Sequence, residues 1–392
     1  HEKPFAGVNG SGKHDNWSIG TDTGINLLKP GKNPRDNKLF LIFMCAVIKA
    51  VDDYQDLLRV SVASAGNDHR LGGSEAPPAI ISIFVGDDLD EVLRSVADGS
   101  TYTAQKREIM KSGVDALPDF VKDTTDRNRT SPFAFTGNKF EFRMPGSSLS
   151  VSGPNFILNT AVAESLKQFA DILEGKENFS DAVDTLLRDT LNKHRRIIFN
   201  GDNYSEEWVK EAERRGLLNL ASTPDALPHF ISEKNIRLFE SHGILTAGEV
   251  MSRYEIALEN YSKVINIEAL TMLEMARRDI LPSVCKYIKL LSDEAAGKKQ
   301  VCAAASCTME EKLITLLSEK VSALFDASEA LDEYITTART LSGGLETAQY
   351  YHDTVLAQMN KLREIADEME TYTAKEYWPF PTYGDLLFSI QE

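Results

Sequence analysis

The chain is poor in cysteine, with 4 in 392 residues, and those at positions 45, 285, 302 and 307 lack the paired spacing of a zinc site. A disulfide-stapled scaffold is excluded, and buried or free thiols in a reducing cytoplasm are the expectation. Positive charge is also scarce: 43 Lys and Arg stand against 59 Asp and Glu, for a net charge of −16 and a pI near 5.0. A phosphate backbone or an anionic membrane surface demands a basic face, so neither nucleic acid nor membrane is an expected partner. Long apolar runs are missing as well. The longest, LFLIFMCAVI at Leu39–Ile48, falls far short of the roughly 20 residues a bilayer crossing needs and reads as a buried helix. What remains is the composition of a soluble globular protein, its acidic exterior consistent with a metabolic enzyme, with length for two or three domains and a large core.

The densest motif lies at the start, in KPFAGVNGSGKHDNWS (Lys3–Ser18). Gly7, Gly12 and Lys13 nearly spell the phosphate-cradling pattern G-x-x-x-x-G-K-[ST], but His14 stands where a hydroxyl should ligate magnesium. No apolar helical repeat follows it either, as a P-loop requires. The reading is a glycine-flanked loop that lets backbone approach a ligand and ends in an imidazole able to bind a divalent ion; an ordinary surface loop is the alternative. The chain opens at His1 without a methionine, so the expectation is the later part of a longer protein.

Beyond residue 38 the pattern turns helical from Leu39 to Ala65, breaks over Asn67–Pro78, and gives a β-branched strand at Ala79–Val85 and a short helix at Asp87–Asp98. Asp123–Thr136 reads as polar loop. Asn138–Met144 alternates, which puts Glu141 and Arg143 on one side of a strand and Phe140 and Phe142 on the other. Helices follow at Phe156–Glu174, Ala182–Phe199, Glu206–Leu218 and Glu233–His242. From about Glu249 the chain is almost purely helical, with breaks expected near Pro282, Gly297 and Gly343–Gly344. The stripe Leu313, Leu317, Val321, Leu324, Leu331 and Ile335 reads as helix packed on helix. The tail EYWPFPTYGDLLFSIQ is apolar enough to dock on a domain surface or a neighbouring subunit.

Four segments carry chemistry: the loop ending in His14, Arg70–Pro77, the pair Arg127 and Arg129, and the strand with Glu141 and Arg143. Singly, each has an ordinary explanation, since arginine and glutamate are usually solvated surface residues. Together they resemble the glutamine synthetase family, and in detail its type III branch. The loop is similar to the signature Lys-Pro … Asn-Gly-Ser-Gly-x-His … Ser (Lys3, Pro4, Asn9, Gly10, Ser11, Gly12, His14, Ser18). Glu75, Ala76 and Pro77 resemble the mobile flap, Asn128–Thr130 the Asn-Arg-Ser/Thr motif, and Glu141–Pro145 the Glu-x-Arg-x-Pro strand. Two departures stand out: Ala134 where a second phosphate-binding arginine is familiar, and Lys139 where arginine is usual.

The resemblance implies an α+β fold, with a curved antiparallel sheet backed by helices over residues 1–255 and a helical extension with an aromatic tail over 256–392. It implies that the γ-phosphoryl of ATP passes to the glutamate side chain and that ammonia then displaces phosphate. His14 and Glu141 are the expected ligands of Mg2+ or Mn2+. Arg70 and Arg143, with Asn9 and Gly10, are expected to hold glutamate, because a planar guanidinium fork matches carboxylate and phosphoryl oxygens. Arg129 stabilises the phosphoryl in flight, Ser18 and Lys139 lie on the ATP side, and Glu75 accepts the ammonium proton on a closing flap. A cytoplasmic dodecamer of two stacked hexamers is implied. Other readings are a related carboxylate–amine ligase or guanidino kinase, and a non-catalytic assembly scaffold. The family's remaining metal carboxylates and its small β-grasp domain precede the Lys-Pro loop, so this chain alone is not expected to catalyse the reaction.

Overall fold

A computed structural model describes residues 10–72, 78–100, 109–110, 120–121 and 130–388. The chain divides into two compact units, His1–Ala257 and Leu258–Glu392. In the first, the elements run β1 (Asp15–Trp17), α1 (Lys38–Asp53), α2 (Gln55–Val60), α3 (Ala65–Asp68), β2 (Ile83–Phe84), α4 (Asp87–Asp98), β3 (Ile109–Met110), β4 (Phe120–Val121), β5 (Phe133–Phe135), β6 (Phe140–Phe142), α5 (Ser152–Leu173), α6 (Phe179–His194), α7 (Glu206–Arg214), α8 (Thr223–Ala226) and α9 (Glu233–Ser241). The helix α10 (Ala247–Glu274) contains the boundary, and α11 (Leu281–Val301), α12 (Thr308–Ala338), α13 (Gly344–Tyr350), α14 (Ala357–Tyr372) and α15 (Tyr383–Phe388) complete the second unit.

The core of the first unit is built on α1, which is apolar nearly all round because it packs on α5 and α6 and meets the sheet. Asn37 caps it, its side-chain oxygen accepting from the Phe40 amide at 3.1 Å. The helical stretch expected from Leu39 to Ala65 holds two helices, α1 and α2, separated at Tyr54, and α3 begins at its end, where Ser64 caps it with an oxygen that takes the Asn67 amide at 3.2 Å.

The sheet has the order β1-β6-β5-β2. The expectation of an antiparallel sheet holds for β1, β6 and β5, but β2 joins β5 in parallel, so the sheet is mixed. The reason is connectivity, since the long crossover through α4 permits a parallel partner where a hairpin would not. Two segments differ from their expected form. Phe133–Phe135, inside the anticipated polar loop, is a fully buried strand. Of Ala79–Val85, only Ile83–Phe84 forms a strand, while Ile80 bridges to Asn219 instead.

Register sorts the sheet into faces. Asn16 pairs with Glu141, Glu141 with Ala134 and Ala134 with Phe84, giving one row. The neighbouring rows put Trp17, Phe140 and Phe135, and Phe142, Phe133 and Ile83, on the opposite face, where the rings of Phe133 and Phe140 stack 4.9 Å apart. Thus the alternation read from Asn138–Met144 places aromatic mass in the core and Glu141 on the face that carries the site.

In the second unit, α12 packs on α11 and α14, burying Leu317, Leu324, Leu331 and Ile335 of the predicted stripe. Pro282 does not break the chain's helical course. A π-helical turn at Met275–Ile280 precedes it, and the wider turn accommodates a residue that has no amide and whose ring would otherwise meet a carbonyl. Gly297 is likewise inside α11, whereas the break at Gly343 is present. No helix among the described residues is long and apolar enough to cross a membrane.

Candidate active site

His14 is placed by backbone. Gly12 bridges to Gly146, the Lys13 amide donates to the Pro145 carbonyl at 3.0 Å, and β1 then zips onto β6. These bonds bring the loop end over the strand that carries Glu141, so that His14 Nδ1 lies 3.7 Å from Glu141 Oε2. The imidazole is half open to solvent and the carboxylate nearly closed off. An oxygen and a nitrogen at that separation can share one cation, with water completing the shell.

Glu141 is the electrostatic centre. Arg143 Nη2 donates to its Oε2 at 3.0 Å and Nε at 3.3 Å, while Lys139 Nζ lies 3.8 Å from Oε1. Burial raises the pKa of this carboxyl, but the Arg143 hydrogen bonds and the charges of Arg143, Lys139 and His14 outweigh it and hold the group below its ordinary range. It is therefore anionic at neutral pH, the state a metal ligand needs. Ala134, beside Glu141 in register and completely buried, leaves this row without a guanidinium.

Arg70 reaches the same place from the turn that follows α3. Its Nη1 donates to the Met144 carbonyl at 2.7 Å and to Asn67 Oδ1 at 3.2 Å, and its Nη2 to the Arg143 carbonyl at 2.6 Å. Asn67, wholly buried, also donates to the carbonyls of Val62 and Met144. Glycine at position 12 is a requirement of this arrangement: a Cβ there would lie 2.2 Å from Arg70 Nη2 and 2.8 Å from the Pro145 carbonyl. Because backbone bonds hold the guanidinium, neither neighbour can retreat cheaply. Gly12→Ala is expected to cost about 1–3 kcal/mol in urea unfolding and to move Arg70. Unfolding at the unsubstituted midpoint would refute the close approach.

These side chains surround a cavity of about 190 Å3, lined by Gly10, Gly12, His14, Arg70 and Arg143 and, from elsewhere in the chain, by Thr130, Ser131, Asn203 and Tyr204. Of the residues expected from sequence, His14, Gly10, Arg70, Glu141 and Arg143 come together. Lys139 stands beside Glu141, donating to Asn16 Oδ1 at 2.6 Å. Ser18 does not line the cavity; its hydroxyl donates to the Asn138 carbonyl at 2.8 Å and accepts from Asn26 at 3.0 Å, fastening the turn before Lys139. Asn9, Glu75 and Arg129 lie outside the described residues.

Sequence reasoning missed Asn67, Asn203 and Tyr204. Asn67 carries a weak signal, an amide three residues before an arginine in a helix-breaking stretch. Asn203 carries none, since it arrives from beyond α6 and is fixed by its amide donating to Thr130 Oγ1 at 3.0 Å. Among the described residues, a group of three metal-capable side chains occurs elsewhere, at Asp52, Asp53 and His194. There, Arg196 Nε reaches both Asp52 oxygens at 2.9 and 3.2 Å, His194 Nδ1 lies 2.8 Å from Asp52 Oδ2, and Lys49 pairs with Asp53. That cluster is already neutralised and ties α1 to the end of α6.

The description "glutamine synthetase C-terminal domain" belongs to a family model that matches residues 182–299. Over its whole length the chain is 50% identical to a protein named glutamine synthetase from Butyrivibrio fibrisolvens, of which it covers 56%. It is 43% identical to a type-3 glutamine synthetase of Dictyostelium discoideum, covering 54% of that protein, and 39% identical to a glutamine synthetase of Bacteroides fragilis, covering 55%. The chain thus spans about half the length of these curated relatives.

Proposed function

Because this chain belongs to the glutamine synthetase family, we propose that it carries the carboxy-terminal part of a glutamate–ammonia ligase, residues 1–255, and the helical type III extension, residues 256–392. The observation that carries the reading is the convergence of His14 with the anionic Glu141, braced by Arg143 in a cavity that Arg70 also lines. The donor set, one imidazole and one carboxylate, suits Mg2+ or Mn2+. The bound ion supplies charge neutralisation to phosphate oxygens.

In this proposal the chain's own residues position and neutralise. Glutamate lies with its amine and carboxylate on Asn9 and Gly10, and its side chain toward Arg143 and Arg70. Its γ-carboxylate oxygen attacks the γ-phosphorus of ATP, the bond to the bridging oxygen breaks, and ADP leaves. Lys139 and Arg129 offset charge on the phosphoryl group, Lys139 as a point charge and Arg129 as a planar fork. Ser18 acts indirectly, by fastening the turn that presents Lys139. Glu75 then takes a proton from ammonium, and ammonia attacks the acyl carbon to release phosphate. Closure of the flap keeps water from the acyl phosphate. A cytoplasmic homo-oligomer of two hexameric rings completes the proposal, supported by the exposure of Leu386 (61%) and Phe388 (81%) in the tail.

The test is to supply the full-length protein with glutamate, ammonium, ATP and Mg2+ or Mn2+. Glutamine and phosphate are expected in equal amounts. With Glu75→Ala, phosphate release is expected to persist while glutamine falls about 10²–10⁴-fold, the range of a lost general base. Absence of ATP-dependent glutamine formation by the unsubstituted protein would overturn the reading. Normal glutamine from Glu75→Ala would remove only the proton-acceptor role.

A further inference from the structure

A second concavity of about 460 Å3 opens in the first unit where α4 packs against α6 near α7. Five arginines line it, Arg94, Arg195, Arg196, Arg214 and Arg215, against two carboxylates, Asp87 and Asp90. In a chain of net charge −16, such a concentration of positive charge is costly unless something offsets it.

Part of the offset is internal. Arg94 pairs with Asp90 at 2.7 Å, Arg214 and Arg215 share Glu211, and Arg196 is held by Asp52. Arg195 is different: the residue is half-buried, and its side chain makes no hydrogen bond or ion pair among the described residues. Arg215 is the rigid member. Its Nη1 donates to the carbonyls of Ile198 at 2.8 Å and Arg196 at 3.2 Å. The guanidinium also lies over Phe199 and Trp208, whose rings stack 3.8 Å apart. A planar fork fixed by its surroundings loses little entropy when it grips an oxyanion.

We propose that this cavity is a binding site for a small phosphate ester bearing free hydroxyls, with Arg195 and Arg215 on the phosphate. The volume exceeds what inorganic phosphate fills and lies within the ordinary range of small-molecule sites. Asp87 and Asp90 choose among anions: they repel the further carboxylates of a polycarboxylate but accept hydrogen bonds from hydroxyls. The segment that supplies Asn200 and Gly201 to this cavity supplies Asn203 and Tyr204 to the first, so an occupant sits on chain shared by both. The site does not rest on the proposed ligase activity.

The probe is ribose 5-phosphate, titrated into the full-length protein by calorimetry. Saturable binding is expected, weakening as salt rises from 50 to 200 mM through screening. It should weaken about tenfold or more in Arg195→Glu and severalfold in Arg195→Gln, both with unchanged far-ultraviolet circular dichroism because the Arg195 side chain has no hydrogen bond or ion pair among the described residues to lose. Binding by His14→Ala is expected to equal that of the unsubstituted protein. The proposal is overturned if no saturable binding occurs, if both Arg195 variants bind normally, or if His14→Ala abolishes binding, which would place the probe in the first cavity. Citrate binding as tightly as ribose 5-phosphate would overturn the assignment to a phosphate ester.

Discussion

Glu141→Ala in the full-length protein is expected to lower glutamine formation by about 10²–10³-fold or more, comparable to losing a preorganised charge-stabilising group. The substitution removes one of the two converging side chains proposed as cation ligands and strips Arg143 of a carboxylate that it bonds. Arg143 is 9% exposed, and its bond to the Ser131 carbonyl, at 3.5 Å, is much weaker than those to Glu141. Glu141→Gln separates the two effects, since it preserves volume and an acceptor oxygen but loses the charge. If metal binding dominates, Gln and Ala fall alike and both need far more Mg2+ or Mn2+. If orientation of Arg143 dominates, Gln recovers most of the activity at unchanged metal demand. Full activity of Glu141→Ala with unaltered metal dependence would end the assignment of this carboxylate.

Arg59→Met is expected to destabilise the fold by about 3–5 kcal/mol, the range for breaking a buried ion pair by removing one partner. Arg59 is 1% exposed. Its Nε donates to the Leu220 carbonyl at 2.8 Å and its Nη2 to Asp68 Oδ1 at 3.0 Å. Asp68 also takes the Thr223 amide at 2.7 Å and hydroxyl at 2.9 Å. Burial pushes the Asp68 carboxyl up, while the Arg59 charge and the Thr223 bonds pull it back. Removing the cation leaves an anion in a site that no longer offsets its desolvation. Arg59 Nη1 is itself buried without a hydrogen bond among the described residues, so the pair is not optimal. Asp68→Leu added to Arg59→Met is therefore expected to recover much of the loss, a coupling that a double-mutant cycle in urea reads directly. Because Asp68 closes α3, which carries Asn67 toward Arg70, the single variant should also raise KM for glutamate. A loss below about 1 kcal/mol would show that the packing of α3, rather than the ion pair, holds this corner.

Sequence alone determined the features that depend on near neighbours or residue chemistry. The alternation around Glu141, the amphipathic helices with their start at Asp87, and the imidazole in place of a P-loop hydroxyl are all set by periods and residue types, which local geometry enforces. The resemblance of their motifs to a known family named His14, Gly10, Arg70, Glu141 and Arg143, and the fold brings them together, four of them lining the first cavity and Glu141 beside His14 and Arg143. Only the tertiary structure decided the rest. Phe133–Phe135 is a strand because β6 and β2 flank it, although its own neighbourhood reads as polar loop. Pro282 leaves the helical course intact because a wide turn precedes it. Ser18 proves to be a fastener of its turn because Asn138 and Asn26 meet its hydroxyl. Asn203 enters the cavity that His14 lines, and Arg94 joins four arginines of the segment 195–215 around another, from positions more than a hundred residues apart in the chain. Such meetings are products of long-range packing, which no local period encodes.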